Sequence, residues 1–152
     1  MVADKAIENR VVCIAREWIG TPYVHQASRK GAGTDCLGLI RGIWRELYGR
    51  EPLTVPNYTR DWGERQAGEL LETTACQVLD DVKSISPVFP GRVLLFRMRE
   101  GSAAKHLGLV AQGGLGPTFI HAYSGRAVYE SALSQPWRRR LVAQFAFPER
   151  PL

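Results

Sequence analysis

The sequence predicts an α+β domain. Helical spacings of apolar residues fill the first half of the chain, and short strand-like runs separated by glycine, proline or charge fill the second. No internal repeat, low-complexity segment or linker divides residues 1–152, so a single domain is expected. The 45% apolar and 23% charged composition is that of an ordinary globular chain long enough to bury a core, which excludes disordered and collagen-like classes.

Taken in order, Ala6–Ile19 reads as a helix, because Ile7, Val11, Ile14, Ala15 and Trp18 recur three and four apart, and Gly20-Thr21-Pro22 ends it. Residues 24–34 are polar and glycine-containing, hence a loop. A second helix is expected from Asp35 or Cys36, with Leu37, Ile40, Trp44 and Leu47 on one side and Gly49 at its end. Gly38 and Gly42 each cost up to ~1 kcal/mol against alanine in a helix. Close packing against another backbone would compensate, which makes this helix central. Residues 50–63 read as loop and Glu64–Cys76 as a third helix. Strands are expected at 92–98, 106–112, 118–124, 127–131 and 141–147.

No run approaches the ~18 apolar residues of a membrane span, and the polar start "MVADKAIENR" lacks the apolar stretch of a secretory signal. Synthesis in a cytoplasm is therefore expected. Cys13, Cys36 and Cys76 form neither a disulfide framework nor a C-x-x-C pair, and His25, His106 and His121 are scattered, so no metal site is predicted. The net charge of +5 favours an anionic partner, either nucleic acid or an envelope polymer. The densest basic cluster, Arg138 to Arg140 beside Trp137, reads first as a guarded strand edge and second as a nucleic-acid-binding patch.

Of the three cysteines, only Cys36 in "GTDCLGLI" stands at a helix start, where unpaired N–H groups and the helix dipole favour a thiolate. Cys13 reads as a core or helix-side residue and Cys76 as structural. A cysteine nucleophile needs a base, itself oriented by a third polar group. His106 and His121 lie on neighbouring predicted strands 15 residues apart, a hairpin separation that would bring their rings together. His25, in a polar loop, is left as a substrate-groove residue.

These segments, "GTPYVHQASRKGAGTDCLGLIRGIWRELYG", "PGRVLLFRM", "KHLGLV" and "FIHAYSGRAVYE", resemble the NlpC-type family of papain-like cell-wall cysteine peptidases, and within it the subgroup found in phages and gene transfer agents. The resemblance runs from about Ile14 to Phe147. It implies a papain-like fold with Cys36 as nucleophile, His106 as base and His121 as its orienting partner. It also places Tyr23 and Asp35 by the substrate, and it requires no cofactor. The implied substrate is the peptide stem of peptidoglycan, cut between D-glutamate and a diamino acid. The implied partners are tail-tip or hub proteins of a phage-like tail that carries the protein to the recipient's cell wall; nucleic acid is not among them. Three positions depart from the family pattern: Leu37 after the cysteine, Val24-His25-Gln26 after the tyrosine, and Arg92 after proline-glycine. Alternatives are a silent structural tail component, or an amidase or acyltransferase using the same cysteine and histidine.

Overall fold

A computed structural model describes residues 2–52 and 70–149. The predicted loop at 50–63 and the start of the predicted third helix lie largely outside these residues. Helices α1 (Val2–Glu17), α2 (Cys36–Tyr48) and α3 (Leu70–Val78) precede most of the sheet, with the two-residue strands β1 (Ser28–Arg29) and β2 (Gly33–Thr34) between the first two helices. Then come β3 (Asp80–Asp81), β4 (Val93–Phe96), β5 (His106–Gln112), β6 (Thr118–Ala122), β7 (Val128–Ala132), α4 (Gln135–Arg140) and β8 (Leu141–Ala146). The larger sheet is antiparallel in the order β3-β8-β4-β5-β6-β7. The α+β expectation therefore holds, and each of the five expected strands is present.

Alternation along the strands separates two apolar layers. Val93, Leu95, Leu107, Leu109, Ile120 and Ala122 pack with α1 and α2 through Val11, Ala15, Trp18, Leu39, Ile43 and Trp44. Leu94, Phe96, Val110 and Phe119 point to the other side, where Leu133 and Trp137 cover them. His106 and His121 alternate with Leu107, Ile120 and Ala122, and so belong to this second layer.

α2 is central, as its glycines predict. A Cβ on Gly38 would lie 1.9 Å from the carbonyl oxygen of Ala27, and one on Gly42 would lie 2.1 Å from the Trp18 ring. Its deepest residues are Leu39 and Ile43 rather than Leu37 and Leu47, because the helix is enclosed by α1 on one side and the sheet on the other. Cys13 is exposed: α1 buries Val11, Ala15 and Trp18, and a residue two beyond Val11 points outward. Cys76 is exposed for the same reason beside the buried Leu71, Ala75 and Leu79.

The guarded strand edge expected at Arg138 to Arg140 is instead the end of α4. Ser134 precedes this helix and Pro136 sits in its first turn, where a missing N–H does no harm. Arg92, at one of the departures from the family pattern, pairs with Glu8 of α1 at 3.3 Å and ties the start of β4 to that helix.

Candidate active site

Asp35 builds the start of α2. Its Oδ1 accepts the Gly38 N–H at 2.7 Å, closing the first turn, and its Oδ2 accepts the Gln26 N–H at 2.7 Å, pinning the preceding loop. The residue is buried, so both bonds are shielded from water. Gln26 has a left-handed backbone (φ 66°), and the carboxylate holds it there.

Cys36 follows as the first residue of the helix and is partly exposed. Its thiol donates to the carbonyl oxygen of Lys105 at 3.7 Å, and Lys105 immediately precedes His106. The helix start and the sheet end thus meet at the sulfur. Cys36 and His106 line one cavity of about 400 Å³, with Tyr23, His25 and Asp35 also in its wall. Tyr23 is set there by a bridge to Thr34, and His25 Nδ1 lies 3.9 Å from Asp35 Oδ2.

The two histidines meet as their strand register requires. His106 Nε2 is 2.9 Å from His121 Nδ1, and His121 Nε2 is 2.9 Å from Ser131 Oγ on β7. One tautomer set gives every bond of this line a donor and an acceptor. A neutral His106 protonated at Nε2 donates to His121, and His121 protonated at Nε2 donates to Ser131. In that arrangement the lone pair of His106 is on Nδ1.

Aromatic rings enclose the pair. Trp137 of α4 has its ring centroid 5.5 Å from that of His106 and 5.1 Å from that of His121. Phe96 lies 5.8 Å from His106, and Phe119 stacks on His121 at 4.1 Å. Trp137 therefore packs against both imidazoles.

Burial dominates the ionisation of the site. It lowers His106 well below its ordinary value, with the neighbouring His121 adding to the effect, and it lowers His121 to about 4. Burial also pushes the Cys36 thiol up to about 12, and the adjacent Asp35 carboxylate pushes in the same direction. The backbone N–H groups of Leu107, Leu37 and Cys36 oppose this without prevailing. Burial thus favours the neutral imidazole at His106, and burial with the Asp35 carboxylate favours the neutral thiol at Cys36, against the thiolate that the helix start favours.

Of the residues singled out in the sequence, Cys36, His106, Tyr23, His25 and Asp35 converge on one cavity, and His121 stands behind His106. Ser131 escaped the sequence reading, and Trp137 entered it only as a neighbour of the basic cluster. Ser131 is signalled only by strand register: Tyr129 lies opposite His121, so Ser131 falls on the diagonal of the same face. Among the described residues no group of three or more His, Cys, Asp or Glu is arranged to hold a metal, and no helix is long and apolar enough to cross a membrane.

The sequence profile of the NlpC/P60 family matches residues 20–145. Among solved structures, the fold is similar to the NlpC/p60 domain of the peptidoglycan hydrolase SagA, with 20% identity over 92% of this chain and 98% of that one, at a TM-score of 0.61. It is also similar to a lipoprotein-like NLP/P60 family protein from Staphylococcus aureus, with 18% identity, 94% of this chain, 42% of that chain and a TM-score of 0.61. NlpC2 from Trichomonas vaginalis matches with 20% identity, 93% of this chain, 46% of that chain and a TM-score of 0.57. The chain thus spans less than half the length of the last two proteins. No curated protein sequence matches it significantly.

Proposed function

Because the chain belongs to the NlpC/P60 family, whose members are peptidoglycan hydrolases of the cysteine-peptidase type, we propose that it is a cysteine endopeptidase hydrolysing the peptide stems of peptidoglycan. The observation that carries this reading is Cys36 at the start of α2 sharing one cavity with His106, which His121 and Ser131 back in a hydrogen-bonded line.

In the proposed reaction, Nδ1 of His106 takes the Cys36 proton as Sγ bonds to the amide carbon. Because burial favours the neutral forms of both groups, this proton moves as the new bond forms. Backbone N–H at the start of α2 holds the oxyanion, with Tyr23 close by. Imidazolium at His106 is stabilised by His121, which keeps the ring oriented and donates its own N–H to Ser131 Oγ. His106 then returns the proton to the departing amine as the C–N bond breaks, leaving a thioester. Water, deprotonated by the same imidazole, cleaves the thioester and restores the thiol. The bond chosen is the one between D-glutamate and a diamino acid, as the sequence resemblance implies.

The same resemblance supports a place in a phage or gene-transfer-agent tail. The protein would be made in the producing cell's cytoplasm, docked on tail-tip or hub proteins, and act on the recipient's wall in the periplasm.

The reading is tested by digesting purified peptidoglycan with the wild type and with Cys36→Ala, and weighing the released fragments by mass spectrometry. Release by the wild type alone, with new ends at D-glutamate, is expected. Equal release by both proteins would refute it.

A further inference from the structure

The cavity wall has a charge asymmetry that the hydrolytic line does not use. Arg99, Lys105 and Arg140 all line it. The one carboxylate among its described lining residues is Asp35, which is buried with both oxygens engaged by backbone N–H groups. Among the described lining residues, Arg and Lys thus outnumber carboxylates three to one.

Arg140 is placed by construction rather than by chance. Its carbonyl oxygen accepts the Arg97 N–H at 2.7 Å, which fixes the end of α4 against the end of β4. Its guanidinium lies over the Trp137 ring, 5.6 Å from the centroid. The same indole sits 5.5 Å from the His106 ring, tilted by only 30°. A guanidinium anchored by its charge against an indole retains its planar N–H fork, which is suited to a carboxylate. The cation is thus tied to the His106 side of the cleft, and His106 delivers its proton to the leaving amine.

We propose that Arg140, flanked by Arg99 and Lys105, is a specificity-determining residue that binds a carboxylate on the leaving-group half of the substrate. The inference rests on the hydrolytic reading of the same site and deepens it. The preferred substrate class is a peptide whose amine-side residue carries a free carboxylate, and amidation of that carboxylate marks a poor substrate.

Binding and turnover separate the two readings. The full chain carrying Cys36→Ala is titrated calorimetrically with a γ-D-glutamyl-diamino acid dipeptide, with its analogue amidated on the diamino acid carboxylates, and with one amidated on the glutamyl carboxylate. Amidation of the diamino acid half is expected to weaken binding about tenfold, and amidation of the glutamyl half much less. With Arg140→Gln added, the tenfold difference should collapse, and with Arg140→Lys it should be only partly kept. Equal binding of the three peptides, undetectable binding of all of them, or an undiminished difference in Arg140→Gln would each overturn the proposal. The peptide comparison needs no variant at Arg140. Turnover of the unmodified dipeptide by the protein with Cys36 intact reports separately on hydrolysis: cleavage without amidation sensitivity sinks the Arg140 assignment alone.

Discussion

Replacing His121 by glutamine is expected to remove a large part of the acid sensitivity of the fold between pH 6.5 and 4. At pH 8 the imidazoles are neutral in both folded and unfolded chains, so they do not bias the equilibrium. Below 6.5 the unfolded chain takes up protons on its histidines, whereas folded His121, lowered to about 4 by burial, does not. The unfolded state therefore binds more protons, and stability that is fully present above 6.5 is lost as the pH falls through 4. From 6.5 to about 4, at roughly 1.4 kcal/mol for each tenfold change in the ionisation constant, His121 alone accounts for about 3 kcal/mol. His106 is lowered in the same direction and adds to the loss. Glutamine keeps an acceptor for His106 and a donor for Ser131 but carries no titrating ring. Urea unfolding followed by tryptophan fluorescence at pH 8, 6, 5 and 4 gives the curves for both proteins. The wild type should lose about 3 kcal/mol more than the variant between the extremes. Parallel curves would refute the assignment of His121 as a buried neutral imidazole.

Other changes test the frame around the pair. Asp35→Ala removes a helix cap and the partner of the Gln26 N–H, so a loss of roughly 2–4 kcal/mol in denaturant unfolding is expected; a change under about 0.5 kcal/mol would contradict the capping account. Gly38→Ala drives a methyl into the Ala27 carbonyl, a backbone atom that no rotamer change relieves, and should destabilise by about 1–3 kcal/mol with a loss of turnover. Trp137→Ala admits water to both imidazoles and should move the acid limb of the kcat/KM profile upward toward 6.5, while Trp137→Phe should leave it near the wild-type position. An unshifted limb in the alanine variant would show that burial by α4 does not set the histidine ionisation.

What was legible in the sequence was the chemistry carried by unusual residues in periodic surroundings. Cys36 stood at a helix start, and two histidines interrupted apolar strand runs at hairpin separation. The glycines of α2 announced close packing because nothing else explains their place in a helix. What was not legible depends on tertiary pairing. Helix α4 is six residues long, too short for a period to show, and it is held by Pro136, by the Arg97 contact and by the docking of Trp137. Ser131 is an unremarked strand serine until the β6–β7 register sets it on the diagonal of His121. The ionisation of Cys36 is a related case: the helix start is visible in sequence, whereas the burial that opposes a thiolate there arises only in the fold.

The central claim is that the Cys36 sulfur forms and breaks a bond to a stem-peptide carbonyl. Its most direct test is the mass of the enzyme acid-quenched during turnover of a γ-D-glutamyl-diamino acid peptide, followed by peptide mapping. The account predicts an added mass equal to the glutamyl acyl half, located on Cys36 and absent from His106→Ala. Turnover with Cys36 unmodified throughout, or an adduct confined to Cys13 or Cys76, would contradict it.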